Sequence, residues 1–480
     1  MRVLERHQQG QKANSTGAYM FKNLVTESGT DSIPEAALIG SLRDYRAPAG
    51  TDLLGRVEGF FAWQDLRRQH DLWPYAKSTA TAPKTHCSAR TDRGTEISGV
   101  NFASQDYLSL SSHPAVKAAA IAAVHEYGVH SAGSAALLGN TRHSLKLEKA
   151  ISDFVYGREV VLYPTGWSAG FAAVQGLVRP ADHVVMDVLA HSCLQEGARA
   201  ATQNIHFHGH LNVEGLARRL QRIRANDTEN GILVVTESLF SMHSDTPDIA
   251  ALRGVCDEYN AMLLVDCAHD FGCIGEDGLG HLGLQNVLGD ADVIIGSFSK
   301  TFASNGGFVS VKSRGVAEYM KYFSATQTFS NALSPVQAAV VLQALEIVRS
   351  EEGKQRRRRL MDNILYMRAE MAKVGLEALG DPSAIVPVRI GAEGLARIAS
   401  RELAARGAIA NLVEYPAVPQ GGARFRVQVM ADHSHEDVDV LIRLMQQAMR
   451  AADLEFRSYR EKEAMASSRQ PAWEAESNAA

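Results

Sequence analysis

One stretch decides how this sequence is interpreted: Ile294-Ile-Gly-Ser-Phe-Ser-Lys-Thr-Phe-Ala-Ser-Asn-Gly-Gly307. Lys300 follows an apolar strand there, is flanked by small hydroxyl residues and precedes two glycines. Burial lowers the pKa of a lysine, and an amine that forms a Schiff base needs a lowered pKa. The hydroxyls of Ser297 and Ser299 could hold an anion beside it. Taken alone, such a segment is more often a surface lysine at the end of a strand.

A second segment, Leu264-Val-Asp-Cys-Ala-His-Asp-Phe-Gly272, places Asp266 directly after another buried strand and His269 three residues later. A carboxylate at this position can pair with the protonated pyridine nitrogen of pyridoxal 5′-phosphate (PLP), and His269 could donate to the phenolic oxygen of the ring. The alternative is that Asp266 caps the following turn.

Two more segments follow strands in the same way. Leu162-Tyr-Pro-Thr-Gly-Trp-Ser-Ala-Gly170 turns into a helix, whose free N–H groups are a natural place for a phosphate. His191 follows the strand that ends at Asp187, where an imidazole could stack on a flat cofactor. A plain turn and a structural histidine are the alternatives. Because all four segments lie at strand ends of one predicted sheet, together they predict a PLP site.

The pattern around these segments predicts an α/β fold. Short runs rich in Val, Ile and Leu alternate with amphipathic helical runs, which is typical of a mostly parallel sheet flanked by helices. Ligands of such sheets bind beyond the carboxyl ends of the strands. The predicted strands are residues 159–163, 183–187, 232–236, 262–266, 293–296 and 307–311.

The chain is predicted to divide into four segments. Residues 1–99 form an N-terminal extension and linker, with a helical piece near 53–69 and a loop over 78–99. Residues 100–330 form the large PLP-binding domain, and residues 331–460 a smaller α+β C-terminal domain. Residues 461–480, rich in Ala, Ser and Glu, are expected to be a disordered tail.

Composition excludes several classes of protein. Of 480 residues, 45% are apolar, and 49 Lys and Arg against 54 Asp and Glu give a net charge of -5, which disfavours a nucleic-acid binder. We expect no transmembrane segment and no secretion signal in residues 1–30. Five scattered cysteines without a CxxC pair favour a cytoplasmic enzyme. His206, His208 and His210 alternate, but without a nearby carboxylate or cysteine they predict no metal site.

The order of the motifs over residues 99–452 resembles the α-oxoamine synthase family of fold-type I PLP enzymes. That family includes serine palmitoyltransferase, 8-amino-7-oxononanoate synthase, 2-amino-3-ketobutyrate CoA ligase and 5-aminolevulinate synthase. Besides the segments above, the matching landmarks are Asn101-Phe-Ala-Ser-Gln-Asp-Tyr-Leu108, Glu237-Ser-Leu-Phe-Ser-Met242, Thr328-Phe-Ser-Asn-Ala-Leu-Ser-Pro335 and Tyr415-Pro-Ala-Val-Pro-Gln-Gly-Gly-Ala-Arg-Phe-Arg426.

The resemblance implies a role for each site residue. Catalysis would depend on Lys300 as the Schiff-base lysine, Asp266 as the partner of the pyridinium and His191 as the stacking ring. The other cofactor contacts would come from Ser241 and His269 at the polar edge, from the amides of Gly166 and Trp167 with the hydroxyl of Ser297 at the phosphate, and from Ser330 reaching the phosphate of a neighbouring subunit. Arg426 would clamp the carboxylate of the amino acid.

The resemblance also implies the reaction. A small α-amino acid (serine, alanine or glycine) would condense with an acyl-CoA or acyl-carrier thioester, with decarboxylation, to give an α-aminoketone. The protein would be a homodimer with shared active sites. The alternatives are an 8-amino-7-oxononanoate synthase, a 2-amino-3-ketobutyrate CoA ligase, an aminotransferase or retro-Claisen lyase on the same fold, and a non-catalytic protein that retains the fold.

The sequence departs from the family pattern at two places. The family's DEAHS-like motif reads Asp266-Cys-Ala-His-Asp270 here, so an acidic and a serine position have changed. Ala136 stands near the place of an arginine in a Gly-rich stretch that shapes the acyl and CoA side in relatives. The autoinducer synthases that make α-aminoketones also lack that arginine.

Overall fold

A computed structural model describes residues 33–468 of the chain. The described residues divide into two compact units, residues 74–453 and the described residues before and after them. Within residues 33–468, no helix combines the length and apolar character needed to cross a membrane. Residues 1–32 and 469–480 lie outside the described residues, and the predictions for a signal segment and for most of the tail fall there.

The helices and strands are numbered in chain order. Helices α1 to α15 are Glu35–Leu38, Glu58–Gln69, Pro114–Tyr127, Arg142–Phe154, Gly166–Gln175, Ser192–Ala201, Val213–Arg224, Ile249–Glu258, Gly280–Leu284, Arg314–Phe323, Ala325–Thr328, Pro335–Arg349, Glu351–Lys373, Glu393–Ala405 and His435–Ser468. Strands β1 to β14 are Ser78–Thr79, His86–Arg90, Glu96–Asn101, Glu159–Tyr163, His183–Asp187, Ile205–His208, Ile232–Glu237, Met262–Asp266, Val293–Ser297, Gly307–Val311, Ile385–Gly391, Ala408–Ile409, Asn411–Val413 and Ala423–Gln428. Two short 3-10 helices cover Leu42–Tyr45 and Gly55–Val57.

The central sheet has seven strands in the order β4-β10-β9-β8-β7-β5-β6. The pairs among β9, β8, β7, β5 and β6 are parallel, and β10 runs antiparallel to both of its neighbours. The connection from β9 to β10 spans only residues 298–306, and a parallel crossover needs a dozen residues or more. The predicted mostly parallel, helix-flanked sheet is therefore confirmed, with one reversed strand.

This topology brings the predicted site segments to one place. Strands β4, β5, β7, β8 and β9 all run in the same direction, so their carboxyl ends meet at one edge of the sheet. The register pairs Glu237 with Asp266 and Asp266 with Ile295. All six residues of β7 and all five of β9 are buried, because helices cover both faces.

The prediction of a loop over residues 78–99 differs from the structure. β1, β2 and β3 lie in this stretch and form a sheet with β12, in the order β1-β2-β3-β12. Cys87, Ala89 and Ile97 point into a small core with Ile409, an alternation that the surrounding Ser and Thr residues conceal in the sequence. The large compact unit accordingly begins at Pro74, and not at residue 100.

The C-terminal part contains the predicted α+β elements. β11, β14 and β13 form an antiparallel sheet, and α14 packs on it. However, α12 packs against α3 and α4, so the chain after residue 331 begins on the large domain. The last helix extends to Ser468, which makes residues 461–468 of the predicted disordered tail helical.

The described residues before Pro74 form an aromatic cluster around α2. Trp63 packs edge-to-face on Trp73, with 5.8 Å between ring centroids, and lies 5.0 Å from the ring of Tyr45. The guanidinium of Arg67 stacks over Trp63 at 4.7 Å. The helical piece predicted near residues 53–69 is therefore present as α2, which has a core of its own.

Candidate active site

A cavity of about 200 Å³ opens at the carboxyl edge of the central sheet. Seven predicted site residues line this cavity: Gly166, Trp167, His191, Asp266, His269, Ser297 and Lys300. They come from the ends of four different strands, so only the folded sheet brings them together. Cys193, Glu237, Ala268, Ile295 and Ser299 complete the lining.

Lys300 lies three residues beyond β9 and faces the carboxyl ends of the neighbouring strands. Burial lowers the pKa of its amine, and the nearby Asp266 carboxylate only partly offsets this effect. A lowered pKa makes more of the neutral amine available, which is the form that attacks a carbonyl. The chemistry predicted for this lysine therefore has the electrostatic environment that it requires.

Two carboxyl groups lie side by side next to this lysine. Asp266 ends β8 and Glu237 ends β7, and the two are register partners. Burial raises the pKa of Asp266, against the opposing influence of His191 and Lys300. Burial and then the charge of Asp266 raise the pKa of Glu237 well above its usual range. One carboxylate and one neutral carboxyl are the arrangement expected of such a pair. Asp266 Oδ1 is also fixed by the amide of Ala268 at 2.9 Å.

The turn after β4 is shaped to accept an anion. Thr165 caps α5 by accepting from the amide of Ser168 at 3.0 Å, which leaves Gly166 and Trp167 in the first turn. Amides of a first helical turn have no acceptor within the helix. A Cβ atom on Gly166 would lie 2.3 Å from Ser297 Oγ, so only glycine allows the helix end and this hydroxyl to approach so closely. A phosphate fits this set of donors.

His269 also lines the cavity, and its surroundings favour the neutral imidazole. Its Nδ1 lies 3.0 Å from the hydroxyl of Tyr107, and both side chains are buried. Burial, followed by the charges of Lys300 and Arg426, lowers the pKa of His269 well below its usual value. A neutral imidazole fixed at Nδ1 leaves its Nε2 for a ligand.

Three predicted residues do not line the cavity: Arg426, Ser241 and Ser330. Arg426, in β14, donates from Nε to the backbone carbonyl of Ser241 at 2.8 Å. Its charge nevertheless lowers the pKa of Lys300 and His269, so it acts on the cavity from close by. Ser330 donates its hydroxyl to the carbonyl of Thr326 within this chain.

Sequence reasoning missed three residues at the site. Glu237 and Cys193 line the cavity, and Tyr107 holds His269. Glu237 and Tyr107 each lie in a landmark motif, and Cys193 follows His191 by two residues, with its sulfur 3.0 Å from Nδ1 of that histidine. Their places in these motifs, or close to His191 in the sequence, could have indicated that they belong to the site.

The altered motif at residues 266–270 has a structural explanation. Asp270 is fully buried and accepts from the hydroxyl of Ser238 at 2.8 Å and from the amide of His281 at 2.7 Å. Nδ1 of His281 lies 2.9 Å from the same carboxylate. Cys267 is buried in the core beside it. The two departures therefore point away from the cavity and support the loop that carries Asp266 and His269.

Comparison with known proteins agrees with this geometry. The sequence model of the family described as aminotransferase class I and II matches residues 97–444. The chain belongs to this family. The 8-amino-7-oxononanoate synthase of Klebsiella pneumoniae is 34% identical over 343 residues, which are 72% of this chain and 87% of that protein. The 4-hydroxy-2,2'-bipyrrole-5-methanol synthase PigH of Serratia sp. is 28% identical over 404 residues, which are 83% of this chain but only 60% of PigH.

A solved structure extends the comparison. A variant of serine palmitoyltransferase from S. paucimobilis, solved with a bound PLP-myriocin aldimine, matches with a TM-score of 0.78 and 25% identity, covering 84% of this chain and 100% of that one. The predicted resemblance to α-oxoamine synthases is confirmed, and with it the fold type and the dependence on PLP. Among residues 33–468, no group of three or more His, Cys, Asp or Glu side chains could hold a metal ion.

Proposed function

We propose that this protein condenses a small α-amino acid with an acyl thioester and releases CO2, giving an α-aminoketone. The observation that carries the proposal is the meeting of Lys300, Asp266 and the phosphate-accepting turn in one cavity, with the charge of Arg426 close by. The two curated relatives named above are synthases, which favours this reaction over amino transfer.

Each side of the cavity would hold one part of the cofactor. The amides of Gly166 and Trp167 and the hydroxyl of Ser297 would bind the phosphate, and His191 would stack on the ring. Asp266 would pair with the protonated ring nitrogen. This ion pair would offset the energetic cost of burying the Asp266 carboxylate. His269, fixed by Tyr107, would donate to the phenolic oxygen with help from Ser241.

Lys300 would have two roles, as the residue that holds the cofactor and as a general base. PLP supplies, when bound, an electron sink for charge at the α-carbon of the amino acid. Lys300 would hold the cofactor through its amine, and the same amine in its neutral form would take the α-proton of the amino acid as a general base. Arg426 would clamp the carboxylate of the substrate while its Nε stays on the carbonyl of Ser241.

A homodimer with shared active sites would complete this arrangement. The loops 129–138 and 328–334 lie side by side, because Ala332 and Gly133 share a backbone hydrogen bond of 2.9 Å. They carry Leu137, Leu138 and Phe329, each at least 86% exposed. Apolar side chains this exposed in a group indicate a covered surface, and a second copy there would meet Ser330 beside Phe329. Five buried cysteines without a disulfide support a cytoplasmic location.

The reaction is tested with purified PLP-loaded enzyme. Glycine, alanine and serine are each combined with acyl-CoAs of graded length, and free CoA thiol, CO2 and product mass are measured. We expect thiol release that depends on one amino acid and needs no oxo acid. The product mass distinguishes 8-amino-7-oxononanoate, 2-amino-3-ketobutyrate and longer α-aminoketones.

The matched control is Lys300→Ala. It should retain the fold but lose covalent attachment of the cofactor, detected by borohydride reduction and mass spectrometry, and all thiol release. Amino transfer to an oxo acid without thiol release would instead identify an aminotransferase and overturn the proposal.

A further inference from the structure

His210 lies outside the cavity and between two carboxylates. It follows β6, and its Nδ1 lies 3.0 and 3.1 Å from the two oxygens of Asp187. Its Nε2 lies 3.0 Å from Oδ2 of Asp245. The sequence shows no carboxylate beside His206, His208 and His210, but the fold brings Asp187 and Asp245 to His210 from distant positions in the chain.

Each carboxylate belongs to a loop that serves the candidate active site. Asp187 ends β5 and also accepts the amides of Leu189 at 2.8 Å and Leu211 at 2.9 Å, so it fixes the loop that leads to His191. The carbonyl of Asp245 accepts the amide of Phe240 at 3.0 Å, which closes the loop that contains Ser241.

The second loop reaches the substrate side of the site. Its residue Ser241 accepts a hydrogen bond from Arg426, the side chain proposed to clamp the amino acid. His210 thus lies between the loop that leads to His191 and the loop whose Ser241 carbonyl accepts the hydrogen bond from Arg426. The imidazole also packs edge-to-face on Phe240, with ring centroids 4.6 Å apart.

The bridge requires a protonated ring. A neutral imidazole has one donor and one acceptor nitrogen, whereas the cation donates from both, as two carboxylates demand. Burial alone would lower the pKa of His210, but the hydrogen bonds and charges of Asp187 and Asp245 raise it to about 9. The other titratable or charged groups around it are His208 from β6, His243 from the Ser241 loop, and Arg424 from β14, which acts on His243 and Asp245.

We propose that His210 is a positioning residue for the condensation, and that its imidazolium fastens the 187–191 loop to the 240–245 loop, so that His191 lines the cavity while Arg426 is held close to it. The kinetic part of this inference rests on the proposed function. The bridge itself does not, because its existence can be measured without turnover.

The test compares His210→Gln with the control His206→Gln. Gln carries its N–H donors on a single nitrogen, so it cannot replace the two ring nitrogens that bond the two carboxylates. His206 lies in β6 with its Nε2 3.1 Å from Nδ1 of His183, away from both loops. NMR of the wild-type protein should show His210 titrating near pH 9, well above the usual 6.5. In His210→Gln, hydrogen exchange at the amides of Leu189 and Leu211 should accelerate about tenfold, and the Kd for PLP should rise about tenfold.

The kinetics separate positioning from simple destabilisation. In His210→Gln the KM for the amino acid should rise about tenfold, with a smaller change in the KM for the thioester. In the wild type the KM for the amino acid should rise above pH 9, because His210 loses its proton there. In His210→Gln this rise should be absent. Titration of His210 near 6.5, or equal PLP affinity in the two variants, would overturn the proposal. If no condensation is found, the proposed function fails. The titration of His210, the hydrogen exchange of the two amides and the affinity for PLP still decide separately whether His210 positions the loops.

Discussion

Replacing Gly166 by alanine should damage the phosphate-accepting turn, and the structure gives the size of the effect. The added Cβ would lie 2.3 Å from Oγ and 2.6 Å from Cβ of Ser297, and 3.3 Å from its Cα. Rotation of the hydroxyl relieves the first contact but not the second, because Cβ is fixed to the backbone of β9. The helix end and the strand must therefore move apart.

Two opposing effects decide the outcome. Alanine in place of glycine stabilises a helix by at most about 1 kcal/mol. Overpacking of a close contact costs about 1 to 3 kcal/mol. The net change for Gly166→Ala should therefore be a loss of up to about 2 kcal/mol. If the PLP-bound state carries this strain and the apoprotein relaxes it, the affinity for PLP should drop by up to about 30-fold.

Gly254→Ala is the matched control. Gly254 lies within α8, and no heavy atom lies within 4 Å of an added Cβ. This variant should gain about 0.5 to 1 kcal/mol and bind PLP as the wild type does. Urea unfolding of the apoproteins and equilibrium dialysis with PLP measure both quantities. The reasoning fails if Gly166→Ala is stabilised as much as Gly254→Ala and keeps wild-type PLP affinity.

Three further predictions address other parts of the molecule. Glu414→Gln should lower the free energy of unfolding in urea by about 3 to 5 kcal/mol, since it breaks the buried ion pair in which Nε of Arg397 lies 2.7 Å from the Glu414 carboxylate; a loss below about 1 kcal/mol would contradict this. Burial lowers the pKa of His433 to about 4, so the unfolded chain binds a proton first as pH falls from 6.5 to 4, and stability should decline by about 3 kcal/mol over that range. His433→Phe should flatten this decline, and an unchanged pH profile would refute the assignment. Leu137→Asp with Leu138→Asp should convert the proposed dimer to monomer in sedimentation, whereas the exposed Leu284→Asp should not; equal sedimentation of both variants would argue against this interface.

The sequence sufficed for residues that directly follow buried strands. Lys300, Asp266 and His191 were predictable because parallel strands end at one edge, so a polar residue after each strand must lie near the others. Glu237 obeys the same rule as the last residue of β7, but it was treated only as part of a family landmark.

Other parts depend on packing that no local pattern reveals. The strands β1 to β3 bury only small or single apolar residues against Ile409, more than 300 positions away in the chain. The orientation of Arg426 toward Ser241 depends on β14 meeting the loop after β7. The pairing of His210 with Asp187 and Asp245 depends on three separate loops.

The place of β10 in the sheet has a consequence for how the protein is made. Among the described strands, β4 pairs only with β10, about 150 residues later in the chain. A ribosome therefore releases β4 and the turn after it long before their hydrogen-bonding partner exists, and closing such a long loop is slow. A nascent chain that ends before Gly307 already contains Lys300, Asp266 and His191, but the edge that carries the phosphate-accepting turn is still unpaired. We therefore expect the phosphate-accepting turn to take its final place, and the cofactor to bind, only after the last strand of the central sheet has been synthesised.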